Sequence, residues 1–368
     1  MTQIPPLITQ AASIARWAPS SHNCQPWQVS LQALPQERSY QALLTLDETA
    51  RLAALDTLAA EMALSLGLFA GIFCHVLDLG GAQWRCHVEG DRALRITITL
   101  PAVETRTGLD AFAEQVRNRR TTRGPFAATP ISRADCARLA ARHWPLLGTG
   151  QPADLRIIQD PQTRQKVAAL VAHYGALDFS NFAAWSETYR HIHFQPAPQV
   201  AKTRGFPIEA LLGPLPTFRR KLLQLLLHPV TMQCLRPFGL ARTLARELAD
   251  LVRTTPAILI LQARTPNLSF GDLLETGNRL AELWLAAAQL GLQIHPLSVL
   301  LQHARPRDAL RLSLRLTEWP CFIARLGAQK PAEIVTPRVE TSVILHATSA
   351  QRDPCAAPYA DHSPLLSD

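Results

Sequence analysis

The chain has 368 residues, 47% of them hydrophobic, which is enough apolar material to bury one large core or two medium ones and excludes a disordered chain. Its 37 Lys and Arg against 29 Asp and Glu give a formal charge of +8, and the excess is mostly arginine spread along the chain. With no zinc-finger spacing, RNP sequence or basic tail to gather that charge, the expected partners are anionic small molecules and not nucleic acid.

The first element of note is a polar loop, Pro19-Ser20-Ser21-His22-Asn23-Cys24-Gln25-Pro26-Trp27. Its prolines stiffen the backbone and remove donors, so it either presents hydroxyls and amides in a set direction or is an ordinary capped turn into a strand. Residues 28–34 and 40–46 alternate as paired strands. A polar stretch, 47–55, then feeds 63–79, where apolar residues fall on every face, as in a central buried helix stopped by Gly80-Gly81. Residues 85–100 read as a hairpin turning at Glu89-Gly90-Asp91. Cys74, His75, Cys86 and His87 do not read as a metal set, because neighbours on a strand point to opposite faces.

Further on, Arg119, Arg120 and Arg123 are separated by Thr121 and Thr122. Guanidinium groups and hydroxyls this close attract a dianion such as a terminal phosphate, or else form a solvated basic helix end. Residues 132–143 read as an amphipathic helix, 154–159 as a strand and 163–176 as a helix. On a helix over 185–193, Glu187 and His191 share a face and either serve proton transfer at a site or, the more ordinary expectation, form a surface ion pair. Residues 195–250, broken by prolines, read as an insertion folding over a site as a lid, with a membrane-surface helix as the rival reading. A buried strand at 257–261, a second buried helix at 278–290 and a final strand at 320–327 follow.

Gly67 and Gly81 lie 14 residues apart, as do Gly277 and Gly291, and each pair brackets a Leu- and Ala-rich helix. The order of elements around them also repeats, which points to an internal duplication. The seven cysteines (Cys24, Cys74, Cys86, Cys136, Cys234, Cys321 and Cys355) include no CxxC pair and suggest reduced thiols. The start lacks a basic n-region, and each apolar run is interrupted short of the roughly 18 to 20 residues of a membrane-spanning helix, so the cytoplasm is the expected compartment.

The opening loop resembles the P-S-S-x-N-x-Q-P-W segment of the flavin-dependent nitroreductase family. Residues 119–126 are similar to that family's R-R-[ST]-x-R-x-F phosphate motif, with one extra residue before Phe126. The resemblance implies an α+β, nitroreductase-like fold with FMN as cofactor and NAD(P)H as a possible electron donor. It implies phosphate contacts from Arg119, Arg120, Thr121 and Arg123, and flavin contacts from Pro19, Ser20, Ser21 and Asn23. Residues 290–298 are similar to the family's G-x-x-x-x-P segment, which adds Pro296, Leu297 and Ser298, and Thr336-Pro337-Arg338 resembles the late basic segment that completes the phosphate site. No acid-base residue or metal ligand is implied.

In the family the arginine motif precedes the serine-asparagine loop; here the loop comes first. A fused duplication accounts for the inversion: two related halves, residues 1–112 and 113–340, form an intramolecular pseudo-dimer around one FMN, with a helical lid insertion at about 195–250 and a C-terminal tail over 341–368 that is polar and loose from about 347. This is similar to the tandem, single-site branch that includes Acg-like mycobacterial proteins. The implied activity is hydride transfer between flavin N5 and a small conjugated or aromatic substrate, either reduction of a nitro, quinone or enone group or dehydrogenation of a biosynthetic intermediate. A flavin-storing protein without turnover is the alternative. The expected assembly is a monomer or a weak homodimer.

Overall fold

Two long helices from opposite halves of the chain cross at a pair of glycines and organise everything else in the computed structural model, which describes residues 4–105, 107–141, 144–148, 152–195, 203–329 and 334–348. The first, α2 (Leu58–Leu79), follows α1 (Pro6–Ala15) and the hairpin β1 (Trp27–Ala33) and β2 (Ser39–Leu46). After it come β3 (Gln83–Glu89), β4 (Ala93–Thr99), α3 (Leu109–Asn118) and α4 (Arg133–Ala140).

The second half opens with β5 (Ala153–Ile158), α5 (Pro161–Tyr174), α6 (Ala176–Ser180) and α7 (Phe182–Arg190). The short strands β6 (Ile192–His193) and β7 (Phe206–Pro207) lead to α8 (Glu209–Leu212), α9 (Thr217–Leu226), α10 (Pro229–Cys234) and α11 (Leu240–Thr254). Next are β8 (Ala257–Ala263), the second long helix α12 (Phe270–Gln289), β9 (Leu292–Pro296), α13 (Ala304–Ser313) and β10 (Trp319–Ala328). The described chain ends with α14 (Thr341–Ile344) and β11 (Leu345–Ala347).

The duplication is visible in the pairing. The first sheet runs β1-β2-β4-β3 and the second β5-β8-β10-β9, which is the same order when β1 to β4 are matched to β5, β8, β9 and β10. One offset relates the marker glycines, since 277 − 67 and 291 − 81 are both 210. Gly81 and Gly291 each take a positive φ, +80° and +69°, at the turn into β3 and β9, a conformation open to glycine at little cost. Gly67 and Gly277 serve the crossing itself. A Cβ built on Gly67 would overlap the carbonyl oxygen of Leu274, and one on Gly277 would overlap that of Leu64.

Trp27, Phe69, Phe73, Leu261, Leu283 and Leu326 fall in one continuous core that draws on both sheets and both long helices. By length and composition alone α2 could span a membrane, contrary to the expectation that charged residues interrupt every such run. It is instead a core helix, with 83% of its most apolar window buried in protein.

Other expectations need correcting. The boundary at 112/113 falls inside α3, whose Leu109, Phe112, Ala113 and Val116 are buried as a single face. Residues 341–347 of the expected C-terminal tail belong to the fold: α14 and β11 follow Val339, and β11 adds to the first sheet parallel to β1, pairing Leu345 with Val29. The rest of the expected tail, 349–368, with Cys355, lies outside the described residues, as does His143. The lid insertion is shorter than 195–250, because α11 buries Ala241, Ala245, Ala249 and Val252 at helical spacing, and Ala249 and Val252 share a core with Val167 and Val171 of α5. Glu187 and His191 form no ion pair. The Glu187 carboxylate is buried and accepts from the amides of Ala53 (2.8 Å) and Ala54 (3.3 Å), while the His191 ring meets the Glu187 carbonyl.

Candidate active site

The two motifs read from the sequence meet. A cavity of about 720 Å³ is lined by Pro19, Ser20, Ser21 and His22 from the loop after α1, by Glu61 and Leu64 of α2, and by Thr121 and Arg123 from the segment after α3. A smaller pocket beside it is lined by Arg119, Arg120, Arg123 and Arg338, with Trp17, Asn23 and Thr336. Pro19, Ser20, Thr121, Arg123 and Phe206 line both, so the two form one cleft with a cationic end and an apolar end.

The loop is held open by main-chain strain that side chains offset. His22, Asn23 and Gln25 all take positive φ values of 50° to 53°, uncommon for residues with a Cβ. Asn23 Nδ2 donates to the carbonyls of Gly205 (2.7 Å) and Pro337 (2.9 Å). Gln25 Nε2 donates to the Thr203 carbonyl (3.2 Å), and its Oε1 accepts from the Val339 amide (2.9 Å). Both amides are therefore clamps to the second half, leaving the Ser20 and Ser21 hydroxyls on the cavity side.

At the cationic end the chemistry is unbalanced. Arg119 is 6% exposed, and its Nε and Nη1 have no hydrogen-bond partner. Burial, with Arg120 close by, pushes its pKa down to about 9. Arg338 is pulled well below the usual range by burial and by Arg119, Arg120 and Arg16. Burial brings Arg123 to about 10; its Nη1 donates to the Ala210 carbonyl at 3.3 Å and its guanidinium lies 5.2 Å from the Phe206 ring. Among the described residues no acidic side chain lines this pocket. Unpartnered buried guanidinium nitrogens are costly unless an anion meets them, and a phosphate dianion supplies what this donor set lacks.

The apolar end is walled by aromatic and aliphatic groups, including Phe179, Trp185, Trp284, Trp319 and Phe322. Of the late segment, Pro296 and Ser298 line it, whereas Leu297 is 1% exposed and packed in the second core. Its amide donates to the Ile323 carbonyl at 2.9 Å. His295 also lines the cavity. Arg325 can only donate, and it approaches His295 Nδ1 from Nε (3.0 Å) and Nη2 (2.8 Å), so the ring accepts there and carries its proton on Nε2. Burial, Arg325 and Arg123 hold this imidazole neutral, and burial, His191 and Arg123 bring His22 to about 3.

Sequence reasoning missed Glu61. It is the one acid on α2 before Asp78, and that isolation on a helix buried all round was the available signal. Ser21 Oγ donates to its Oε2, and Gln302 Nε2 donates to its Oε1 at 2.7 Å. Burial raises its pKa and Asp178 adds to the shift, against the lowering effect of those two bonds. Asp178 in turn receives His303 Nε2 at 2.8 Å, and this partner raises the His303 pKa.

No family model matches the chain. It is 32% identical over 354 residues to the probable NAD(P)H nitroreductase PigM of Serratia sp., an alignment spanning 94% of this chain and 95% of that protein. Among solved structures, the FMN-dependent nitroreductase NfnB of Mycobacterium smegmatis aligns with 66% of this chain and 99% of its own, at 16% identity and a TM-score of 0.39. A nitroreductase-like family protein of Bacillus cereus aligns with 63% and 92%, at 13% identity and a TM-score of 0.35. On the strength of the near full-length alignment with the Serratia protein, the chain belongs to the flavin-dependent nitroreductase family.

Proposed function

We propose that the cleft binds a single FMN and that the chain is an FMN-dependent oxidoreductase, with NAD(P)H as donor, acting on a small conjugated or aromatic molecule. The observation that carries this reading is the shared lining of Pro19, Ser20, Thr121 and Arg123, which joins an anion-seeking pocket to an aromatic cavity of small-molecule size. When bound, FMN supplies the two-electron chemistry, passing hydride between its N5 and the substrate, in reduction of a nitro, quinone or enone group or in a dehydrogenation.

The chain's own residues bind, orient and exclude water. Arg119, Arg120, Arg123, Thr121 and Arg338 would hold the phosphate. Pro19, Ser20, Ser21, Pro296 and Ser298 would line the ring system, and Asn23 fixes the loop. The Nε2–H of neutral His295 is a further donor on the cavity wall. Phe179 and Trp185, from the helices that cover the cavity, keep it dry. The segment that would have to supply a second loop, 144–147, is instead tied to α12. Glu275 accepts from the amides of Leu146 (3.0 Å) and Leu147 (2.9 Å), and Glu282 from that of Trp144 (3.0 Å), which supports one cofactor per chain.

Glu61 is positioned to move the substrate's proton, its carboxyl facing the cavity between Ser21 and Gln302. Glu61→Gln should lower kcat by roughly 10²- to 10⁴-fold with the FMN dissociation constant unchanged. Because burial raises its pKa, the stabilising contribution of Glu61 is present below the ordinary 4.5 and lost as pH rises through the folded value. The Glu61→Gln protein should therefore gain stability relative to the unsubstituted chain across that rise. Equal turnover and parallel stability curves would remove Glu61 from the chemistry.

The function itself is tested by anaerobic bleaching of bound FMN with NADH or NADPH, followed by nitro, quinone and enone acceptors. Reoxidation faster than in buffer is expected. Inertness to all of them would favour the flavin-storing alternative.

A further inference from the structure

The outer layer of the second half leaves an apolar stripe uncovered. On α9, Phe218, Leu222 and Leu225 follow the i, i+4, i+7 spacing of one helix face and are 76%, 42% and 64% exposed. Leu223 and Leu227 turn the other way, into a small core with Trp185 and Met232. Val230 on α10 and Phe238 just before α11 are exposed as well. An amphipathic helix that directs its large apolar residues outward needs a reason, because folding alone would turn them in.

Charge narrows the choice of partner. Residues 210–246 hold Arg219, Arg220, Lys221, Arg236, Arg242 and Arg246 and no Asp or Glu. Arg220 is turned inward and pairs with Glu209 at 2.7 Å, while Arg219 and Lys221 stand exposed on either side of the α9 stripe and Arg236 is exposed beside Phe238. Apolar side chains framed by cations, with no anion among them, match an interface with phosphate headgroups above and hydrocarbon below. An apolar protein partner would not require the absence of acids.

We infer that α9 and its exposed neighbours dock on an anionic lipid bilayer, with Phe218, Leu222 and Leu225 at the boundary of headgroups and acyl chains and Arg219, Lys221 and Arg236 on lipid phosphates. The docking face is wired to the cavity. Trp185, which lines the cavity, donates from Nε1 to the Leu227 carbonyl at 2.7 Å, and Tyr189 on the same helix donates to the Gln224 carbonyl at 3.0 Å. An apolar substrate dissolved in the bilayer would then enter a cavity one helix away from it. The inference stands on the surface alone and does not depend on the cofactor.

The test is flotation of the full-length, flavin-loaded protein with vesicles of phosphatidylcholine and phosphatidylglycerol, and with vesicles of phosphatidylcholine alone. The mixed vesicles are expected to carry the protein to the top of the gradient, less so as salt is raised. Arg219→Ser/Lys221→Ser should weaken that partition on the order of thirtyfold. Leu222→Ser/Leu225→Ser should weaken it at least as far, with the circular dichroism of both variants unchanged. No flotation with mixed vesicles, equal flotation with both vesicle types, or indifference to the substitutions would each overturn the inference. Self-association that the leucine substitutions abolish, in the absence of lipid binding, would assign the stripe to a second copy instead.

Discussion

An Arg119→Met protein is expected to melt at a higher temperature than the unsubstituted chain when both are free of FMN, and to lose most of the stabilisation that FMN confers. The free protein buries a guanidinium whose Nε and Nη1 have no hydrogen-bond partner, with Arg120 near enough to lower its pKa further and both of them lowering that of Arg338. Methionine fills similar space without the charge, and relief of such a burden is worth about 1–3 kcal/mol. Loss of the contact between the guanidinium and the Trp284 ring, 5.4 Å apart, returns only about 0.5–1 kcal/mol of that. With ligand present the sign reverses. A charge-assisted bond to phosphate contributes roughly 1.5–3 kcal/mol, so the FMN dissociation constant should rise about 10- to 150-fold. Arg123→Ala should weaken FMN to a similar degree without the gain in the free protein, because its guanidinium already has the Ala210 carbonyl and the Phe206 ring. Thermal scans with and without FMN, at low and high salt, read all of this. A free Arg119→Met protein that melts lower, with undiminished affinity for FMN, would make the arginine cluster a structural feature and nothing more.

Gly277→Ala should be among the most damaging single substitutions in the chain. Replacing a mid-helix glycine by alanine ordinarily stabilises by about 1 kcal/mol. Here the new methyl would overlap the Leu64 carbonyl oxygen, with the Gly67 Cα only 3.0 Å away, and both are main-chain atoms of the partner helix that cannot rotate aside. Forcing such helices apart costs about 3 kcal/mol or more, so the clash outweighs the propensity gain. Gly271 on the same helix provides the control, since its Cβ would meet Val88 Cγ2 at 3.4 Å, an ordinary contact, and Gly271→Ala should be neutral or stabilising. Urea unfolding midpoints compare the two. Indistinguishable midpoints would mean that α2 and α12 do not cross at these glycines. FMN affinity should fall with Gly277→Ala as well, because Ser20 and Ser21 come from one half and Arg119 and Arg123 from the other.

The sequence was legible where residue type itself is constrained. A turn with two serines, an asparagine and a glutamine between prolines, and three arginines around two threonines, each had an ordinary reading alone; it was their joint resemblance to one family's motifs that pointed to a shared site, and the structure brings them to one cleft. The glycine spacing also carried its message, although its cause, a close helix crossing, could not be read without the partner helix. Other features depend on distant contacts. A three-residue strand such as β11 is specified by the exposed edge of β1 and not by its own side chains. The helical period of Ala241, Ala245, Ala249 and Val252 marked α11 as packed on one face, yet the prolines before it drew the whole segment into the lid. Glu187 showed its carboxylate and its neighbour His191, but the amides of Ala53 and Ala54 that claim it lie across the fold. Glu61 was missed because the buried helix was expected to begin at residue 63, which left this acid in the segment leading into it instead of on the helix.

Because α2 and α12 belong to one polypeptide, their pairing is a first-order event that no dilution can reverse. A paired assembly of identical subunits must copy every substitution to both of its sites. In this chain a change is written once, so Glu275 and Glu282 on α12 hold the 144–147 segment while α2 carries Glu61 toward the cavity, and the two halves are free to differ.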